Sequence, residues 1–157
     1  MGDEALKIEL TSARNAVFRL LKIRLRSERE IVEKLKKKEF SDEAIAKTLE
    51  YFKECELIND RQFAQRWIYA RLNKPFGLNR IRTELKAKGI SDGILQEELI
   101  KIPHGDEQEM EVVRKLAERR AAIYKNVSGD KLKQRLYGYL ARRGFSSESI
   151  YKTLKKL

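Results

Sequence analysis

A chain of 157 residues is long enough to bury a core without disulfide or metal staples, and 41% hydrophobic with 38% charged residues marks a folded rather than a disordered polypeptide. An excess of 35 Lys and Arg over 24 Asp and Glu gives a net charge of +11, which directs attention to anionic partners, nucleic acid first. One cysteine, one histidine and no long apolar run exclude an internal disulfide, a His/Cys zinc site of ordinary ligand number and a membrane span, and a reducing cytoplasm is expected.

In chain order, the first predicted element is a helix from about Ser12 to Leu25. Ser27 and Glu30 then form a capping box that opens a second helix carrying Ile31 and Leu35. A turn at Glu39 follows, and Ser41 caps a third helix with Ile45 and Leu49. A weaker box, Asn59 with Gln62, opens a helix from about Asp60 to Asn73, which Lys74-Pro75-Phe76-Gly77 stops. Ile81 and Leu85, Gly89, Ser91, then Leu95 and Leu99 repeat the spacing of the first pair of helices. After Ile102-Pro103-His104-Gly105, Asp106 and Glu109 make a third box at the start of a helix from about Glu107 to Lys125. Leu136 and Leu140, Gly144, Ser146, then Ile150 and Leu154 repeat the spacing once more.

Apolar residues thus recur at one spacing three times, which predicts an all-α chain of three tandem three-helix repeats at 12–58, 59–103 and 106–157 in an elongated, curved arrangement. Ser41, Ser91 and Ser146 cap the last helix of each repeat, and Gly89 and Gly144 supply a left-handed turn before it. Glu39 takes that turn position in the first repeat, at a cost of about 1 kcal/mol if the geometry is kept. Acid–lysine pairs four apart, Glu30–Lys34, Glu33–Lys37, Glu43–Lys47, Glu84–Lys88, Glu97–Lys101, Glu111–Lys115 and Glu148–Lys152, read as helix support.

The positive charge alternates with the repeat. Residues 19–38 hold nine basic and three acidic side chains, 66–90 seven and one, and 131–157 eight and one. Within these blocks the candidate contact residues lie on or beside the middle helix of each repeat: Arg24, Arg26, Lys36, Lys37 and Lys38; Arg80, Arg82, Lys86 and Lys88; Arg135, Arg142 and Arg143. Stacked repeats would align them as a discontinuous basic ridge facing a polyanion; solvation of exposed helix faces is the competing explanation for any one of them.

Catalytic chemistry has little to work with. His104 and Cys55 lie far apart in sequence, on a turn and a helix, and no glycine-rich phosphate loop is present, so no catalytic residue, metal or cofactor is expected. Phe63 and Trp67, four apart, fit core packing better than base stacking. Tyr139 lies beside the apolar stripe of Leu132, Leu136 and Leu140, whereas Tyr137 points elsewhere; Tyr151 is ambiguous.

Three ordered segments carry a family resemblance. Leu57-Ile58-Asn59-Asp60-Arg61-Gln62-Phe63-Ala64-Gln65-Arg66-Trp67 resembles a signature of the RecX family, regulators of the bacterial RecA recombinase. Gly77-Leu78-Asn79-Arg80-Ile81-Arg82-Thr83-Glu84-Leu85-Lys86-Ala87-Lys88-Gly89-Ile90 and Arg26-Ser27-Glu28-Arg29-Glu30, with Leu35 and Phe40, are similar to two others. Asn59, Glu56 and Glu39 depart from it, standing where the family has Asp, Gly and Gly. The resemblance implies a modular helical protein that binds the RecA filament on single-stranded DNA; a monomer that makes no membrane contact is expected. It also implies, in DNA repair and the SOS response, a mainly inhibitory action on filament assembly, ATP hydrolysis, strand exchange and co-protease activity. An independent DNA-binding module that competes for the single strand is the alternative.

Overall fold

The computed structural model describes residues 2–103 and 107–157, so His104 and the proposed Asp106 cap lie outside the described residues. These residues form nine helices and no strand. The first three are α1 (Gly2–Ile23), α2 (Glu28–Lys37) and α3 (Asp42–Glu54). The next three are α4 (Asp60–Leu72), α5 (Leu78–Ala87) and α6 (Asp92–Leu99), and the last are α7 (Glu107–Ile123), α8 (Gly129–Arg142) and α9 (Ser147–Leu154).

Local chemistry accounts for most helix ends. Ser27 caps α2 as a complete box with Glu30, and Ser41, Ser91 and Ser146 accept from the backbone N–H of Ala44, Ile94 and Ser149. Asn59 Oδ1 accepts from Gln62 N at 3.0 Å, so the weaker box keeps half of its bonds. The left-handed turns fall where the sequence places them, with φ of 62° at Glu39, 82° at Gly89 and 88° at Gly144. Glu56 (φ 55°) and Gly129 (φ 62°) adopt the same region and were not anticipated as turns of this kind.

Helix α1 begins ten residues before the expected Ser12. Asp3 and Glu4 complement its positive end. Glu9 then holds the start of α3, accepting from Ser41 N at 2.6 Å and from Ser41 Oγ at 2.8 Å. That tertiary bond, invisible to periodicity, makes the early turns of α1 part of the packing.

The chain divides into two compact units, Met1–Arg66 with Leu85–Ile94, and Trp67–Glu84 with Leu95–Leu157. In the first, α1 packs on α3 and α2 around Val17, Ile31, Leu35 and Phe52, all fully buried. In the second, α7, α8 and α9 close over Val113, Leu136, Leu140 and Ile150. Most residues spaced by the repeat are buried: Ile81, Leu85, Leu95 and Leu99 are each under 4% exposed, while Phe40 and Leu49 are partly buried.

One joint occurs in both units. In the first, Ser27 Oγ at the start of α2 donates to Lys88 O at the end of α5 at 2.6 Å, and a Cβ on Gly89 would meet Arg29 Cβ at 2.5 Å. In the second, the start of α5 meets the end of α8. Gly77 N donates to Arg143 O at 2.9 Å and Asn79 N to Gly144 O at 3.1 Å. Unpaired N–H groups of one helix thereby satisfy the carbonyls just past another helix end. A Cβ on Gly144 would lie 2.3 Å from Arg80 N, so glycine is required there by space as well as by φ. Among the described residues no helix start docks on the Glu39 turn, which is why a side chain fits there.

Candidate nucleic-acid interface

The α5–α8 joint fixes the geometry of the most charged site in the second unit. It brings Arg80 beside the end of α8, and both Arg80 and Arg143 lie over the Phe76 ring, at 3.9 and 5.8 Å from its centroid. Arg143 also donates to Pro75 O at 3.3 Å. Arg71 lies over Phe76 (5.7 Å) and Trp67 (4.8 Å). From Arg143 the series runs to Tyr139 at 5.0 Å, from Tyr139 to Arg120 at 5.0 Å, from Arg120 to Tyr124 at 5.2 Å, and from Tyr124 to Arg135 at 5.5 Å. Five guanidinium groups and four aromatic rings alternate as a ladder.

One carboxylate, Glu84, is bound into this ladder. Its Oε2 accepts from Trp67 Nε1 at 2.9 Å and from Arg71 Nε at 2.8 Å, and its Oε1 from Arg80 Nε at 3.1 Å. Partial burial pushes the Glu84 carboxyl upward, but the bonds from Trp67, Arg80 and Arg71 prevail and hold it below the ordinary range. It stays ionised and still leaves most of the cationic charge unneutralised. Guanidinium groups held over rings at 3.9–5.8 Å are pre-ordered to take phosphate oxygens.

Of the residues expected to form a basic ridge, Arg80, Arg135 and Arg143 join the ladder. Arg82 and Arg142 are exposed and have no ion-pair partner among the described residues. In the first unit the picture differs. Arg24 grips both oxygens of Glu30, at 3.1 and 2.8 Å, and Lys88 Nζ reaches Glu30 at 2.9 Å. Lys86 pairs with Asp92 at 2.9 Å. Arg26 is half-buried, with a Nε that finds no acceptor. Lys36, Lys37 and Lys38, at the carbonyl end of α2, stay exposed.

Two acids expected to pair with the lysine four residues on take other partners instead. Glu30 joins Arg24 and Lys88 instead of Lys34; burial raises its pKa, but the bonds from Arg24 and Lys88 outweigh it and bring it down to about 2. Glu84 closes the aromatic end of the ladder. Glu43–Lys47, Glu111–Lys115 and Glu148–Lys152 pair as expected, whereas Glu33 turns to Arg29 and Lys101 to Glu98.

Sequence reasoning missed Arg71, Arg120, Phe76 and Tyr124. A signal was present: Trp67/Arg71, Arg120/Tyr124 and Arg135/Tyr139/Arg143 are each spaced by four, so ring and guanidinium share a helix face. Phe63 is buried as expected (4% exposed), but Trp67 is half-buried and spends its N–H on Glu84. Cys55, expected within a helix, ends α3 as an exposed cap residue. Among the described residues no group of His, Cys, Asp or Glu is arranged to hold a metal ion, and no helix is long and apolar enough to cross a membrane.

Family models for the first, second and third three-helix domains of RecX match residues 13–52, 59–99 and 106–154. The chain belongs to the RecX family. It is 38% identical over 141 residues to the regulatory protein RecX of Chlorobium phaeobacteroides, covering 89% of each chain. It is 33% identical over 148 residues to that of Caldanaerobacter subterraneus, covering 94% of this chain and 71% of the relative. The crystal structure of RecX from Lactobacillus salivarius aligns with a TM-score of 0.82 at 26% identity, over 96% of this chain and 97% of that one. A second crystal structure of regulatory protein RecX aligns with a TM-score of 0.84 at 27% identity, over 98% and 74%. These relatives make the chain a three-domain helical regulator, a member of a regulatory rather than an enzyme family.

Proposed function

We propose that this RecX protein regulates the RecA recombinase by binding the filament that RecA forms on single-stranded DNA. It acts mainly as an inhibitor of filament assembly, ATP hydrolysis, strand exchange and co-protease activity during DNA repair and the SOS response. On this reading it works as a monomer in the cytoplasm, and its repeats at 12–58, 59–103 and 106–157 engage the filament in series. The observation that carries the reading, beyond family membership, is the ladder of Arg71, Arg80, Arg120, Arg135 and Arg143 held against four rings with the Glu84 carboxylate bound into it. Such charge suits a polyanion or an acidic protein groove. The exposed Lys36, Lys37, Lys38, Arg82 and Arg142 add to it, whereas Arg24, Lys86 and Lys88 are engaged within the protein.

The test is ATP hydrolysis by the cognate recombinase on single-stranded DNA with this protein titrated in. The expected result is a dose-dependent fall in rate and a shortening of filaments in electron micrographs. An unchanged rate and filament length at micromolar protein would overturn the reading.

A further inference from the structure

The third repeat carries a second aromatic site outside the ladder. Lys133 and Tyr137 are four apart on α8, and Tyr151 and Lys155 are four apart at the end of α9, so each lysine shares a helix face with a tyrosine. Together with Gln134 and Leu154 they line an open groove of about 530 Å³. That volume lies within the range of about 300–1,000 Å³ typical of ligand sites. Leu154 is 5% exposed and closes the groove on the core side.

The two rings are 5.3 Å apart between centroids and tilted by 44°. Tyr137 is half-buried against the core of this repeat, and its hydroxyl lies 2.9 Å from Ser147 Oγ in a hydrogen bond that fixes the ring. Tyr151, in contrast, is 65% exposed. A broad flat surface thus faces water beside a rigid one.

Neither lysine has an ion-pair partner among the described residues. The two carboxylates on these helices do not compete: Asp130 in the first turn of α8 makes no ion pair with Lys133, and Glu148 is held by Lys152. A groove for an apolar helix would gain nothing from two unneutralised ammonium groups. An acidic peptide would use the lysines but leave the exposed ring idle. A strand that alternates flat bases with phosphates uses both.

We propose that this groove is a stacking platform for an unpaired base of single-stranded DNA. Tyr151 takes the face of the base, Lys133 and Lys155 take flanking phosphates, and Gln134 offers both donor and acceptor to the base edge. The inference rests on the nucleic-acid part of the function proposed above and deepens it: the protein touches the DNA itself, through a base.

The experiment is fluorescence anisotropy with the full chain and no recombinase, using a labelled oligothymidylate and an abasic oligonucleotide of equal length. The wild type is expected to prefer the oligothymidylate about five- to hundredfold, the span of stacking one base. Tyr151→Ala should abolish that preference and Tyr151→Phe should keep it. Because the ring is mostly exposed, truncation should leave the helical circular dichroism unchanged. Lys133→Ala with Lys155→Ala should weaken both ligands and lower the slope of log affinity against log salt by about one to two. Equal or undetectable binding of the two strands by the wild type, or an undiminished preference in Tyr151→Ala, overturns the platform. Recombinase ATP hydrolysis measured on the same preparations separates the two readings. A protein that discriminates bases without slowing hydrolysis keeps the platform and loses the regulator reading, and one that slows hydrolysis while ignoring bases does the reverse.

Discussion

Replacing Glu30 by Gln removes one charge from the first unit while leaving its shape nearly intact, since an amide oxygen still accepts from Ser27 N as the carboxylate does at 3.2 Å. What is lost is the charge that Arg24 and Lys88 share. Folding lowers the Glu30 pKa from 4.5 to about 2. Its contribution to stability is therefore complete above about pH 4.5 and disappears as the pH falls through about 2. At about 1.4 kcal/mol per pH unit the gap sets a ceiling of roughly 3 kcal/mol, and solvent screening of a half-buried group brings the expected value to about 1–2 kcal/mol. Urea unfolding of wild type and variant at pH 7, 5 and 3 reads this directly. The variant should be less stable by that amount at pH 7 and 5, and the difference should fall to half or less at pH 3. Asp60, whose pKa burial raises, acts with the opposite sign, so the comparison is made between the two proteins at each pH rather than along one curve. A deficit that is the same at pH 3 as at pH 7 would refute a charge-based role for Glu30.

Gly144→Ala should destabilise the fold by about 2–3 kcal/mol, because its φ is 88° and the new Cβ would lie 2.3 Å from Arg80 N. Gly93→Ala, with nothing within 4 Å and a helical setting, should stabilise by about 0.5 kcal/mol; denaturant midpoints moving in the same direction would contradict the joint. Glu39→Gly should raise the thermal midpoint by relieving a left-handed glutamate worth about 1 kcal/mol, less the added freedom of the unfolded chain. Arg82, Arg135 and Arg142 changed together to Ala should weaken filament binding about ten- to a hundredfold in a pull-down titration. Lys47 and Lys53, which are paired with Glu43 and Glu28, should cost little when changed in the same way.

Much of the fold was legible because helix periodicity and capping are local. Ile31 with Leu35, Ile81 with Leu85 and Leu136 with Leu140 are buried where their spacing places them, and Ser41, Ser91 and Ser146 cap where they stand. The early turns of α1 were not legible, since Glu9 meets Ser41 across 32 residues and no window of sequence contains both. Gly89 and Gly144 were read as conformational glycines. Their second requirement, that a neighbouring helix start fills the space of a side chain, is tertiary, and Glu39 shows the difference by keeping the φ without the neighbour. Likewise Glu30 and Glu84 looked like partners of Lys34 and Lys88 on their own helices until more distant arginines and an indole reached them first.

Reading the positive charge as a count of Lys and Arg on middle helices located three of the five ladder arginines and obscured the chemistry of the site, because the ladder is selective for arginine. A lysine carries the same charge but no plane, so it cannot lie flat on a ring and present an edge of donors at the same time. This separates two accounts of the same surface. Changing Arg71, Arg120 and Arg143 together to Lys preserves the net charge and the long-range field. If the field is what the partner senses, filament binding should be unchanged. If the ordered planes are what matters, binding should fall about tenfold or more, and the Tyr139 and Trp67 fluorescence environments should change as their cations leave 5.0 and 4.8 Å. Lysine substitution at Arg114, which is paired with Glu111 and Glu118 away from any ring, serves as the control and should leave binding intact. A triple lysine variant that binds as the wild type does would show that the rings serve only to pack the arginine stems.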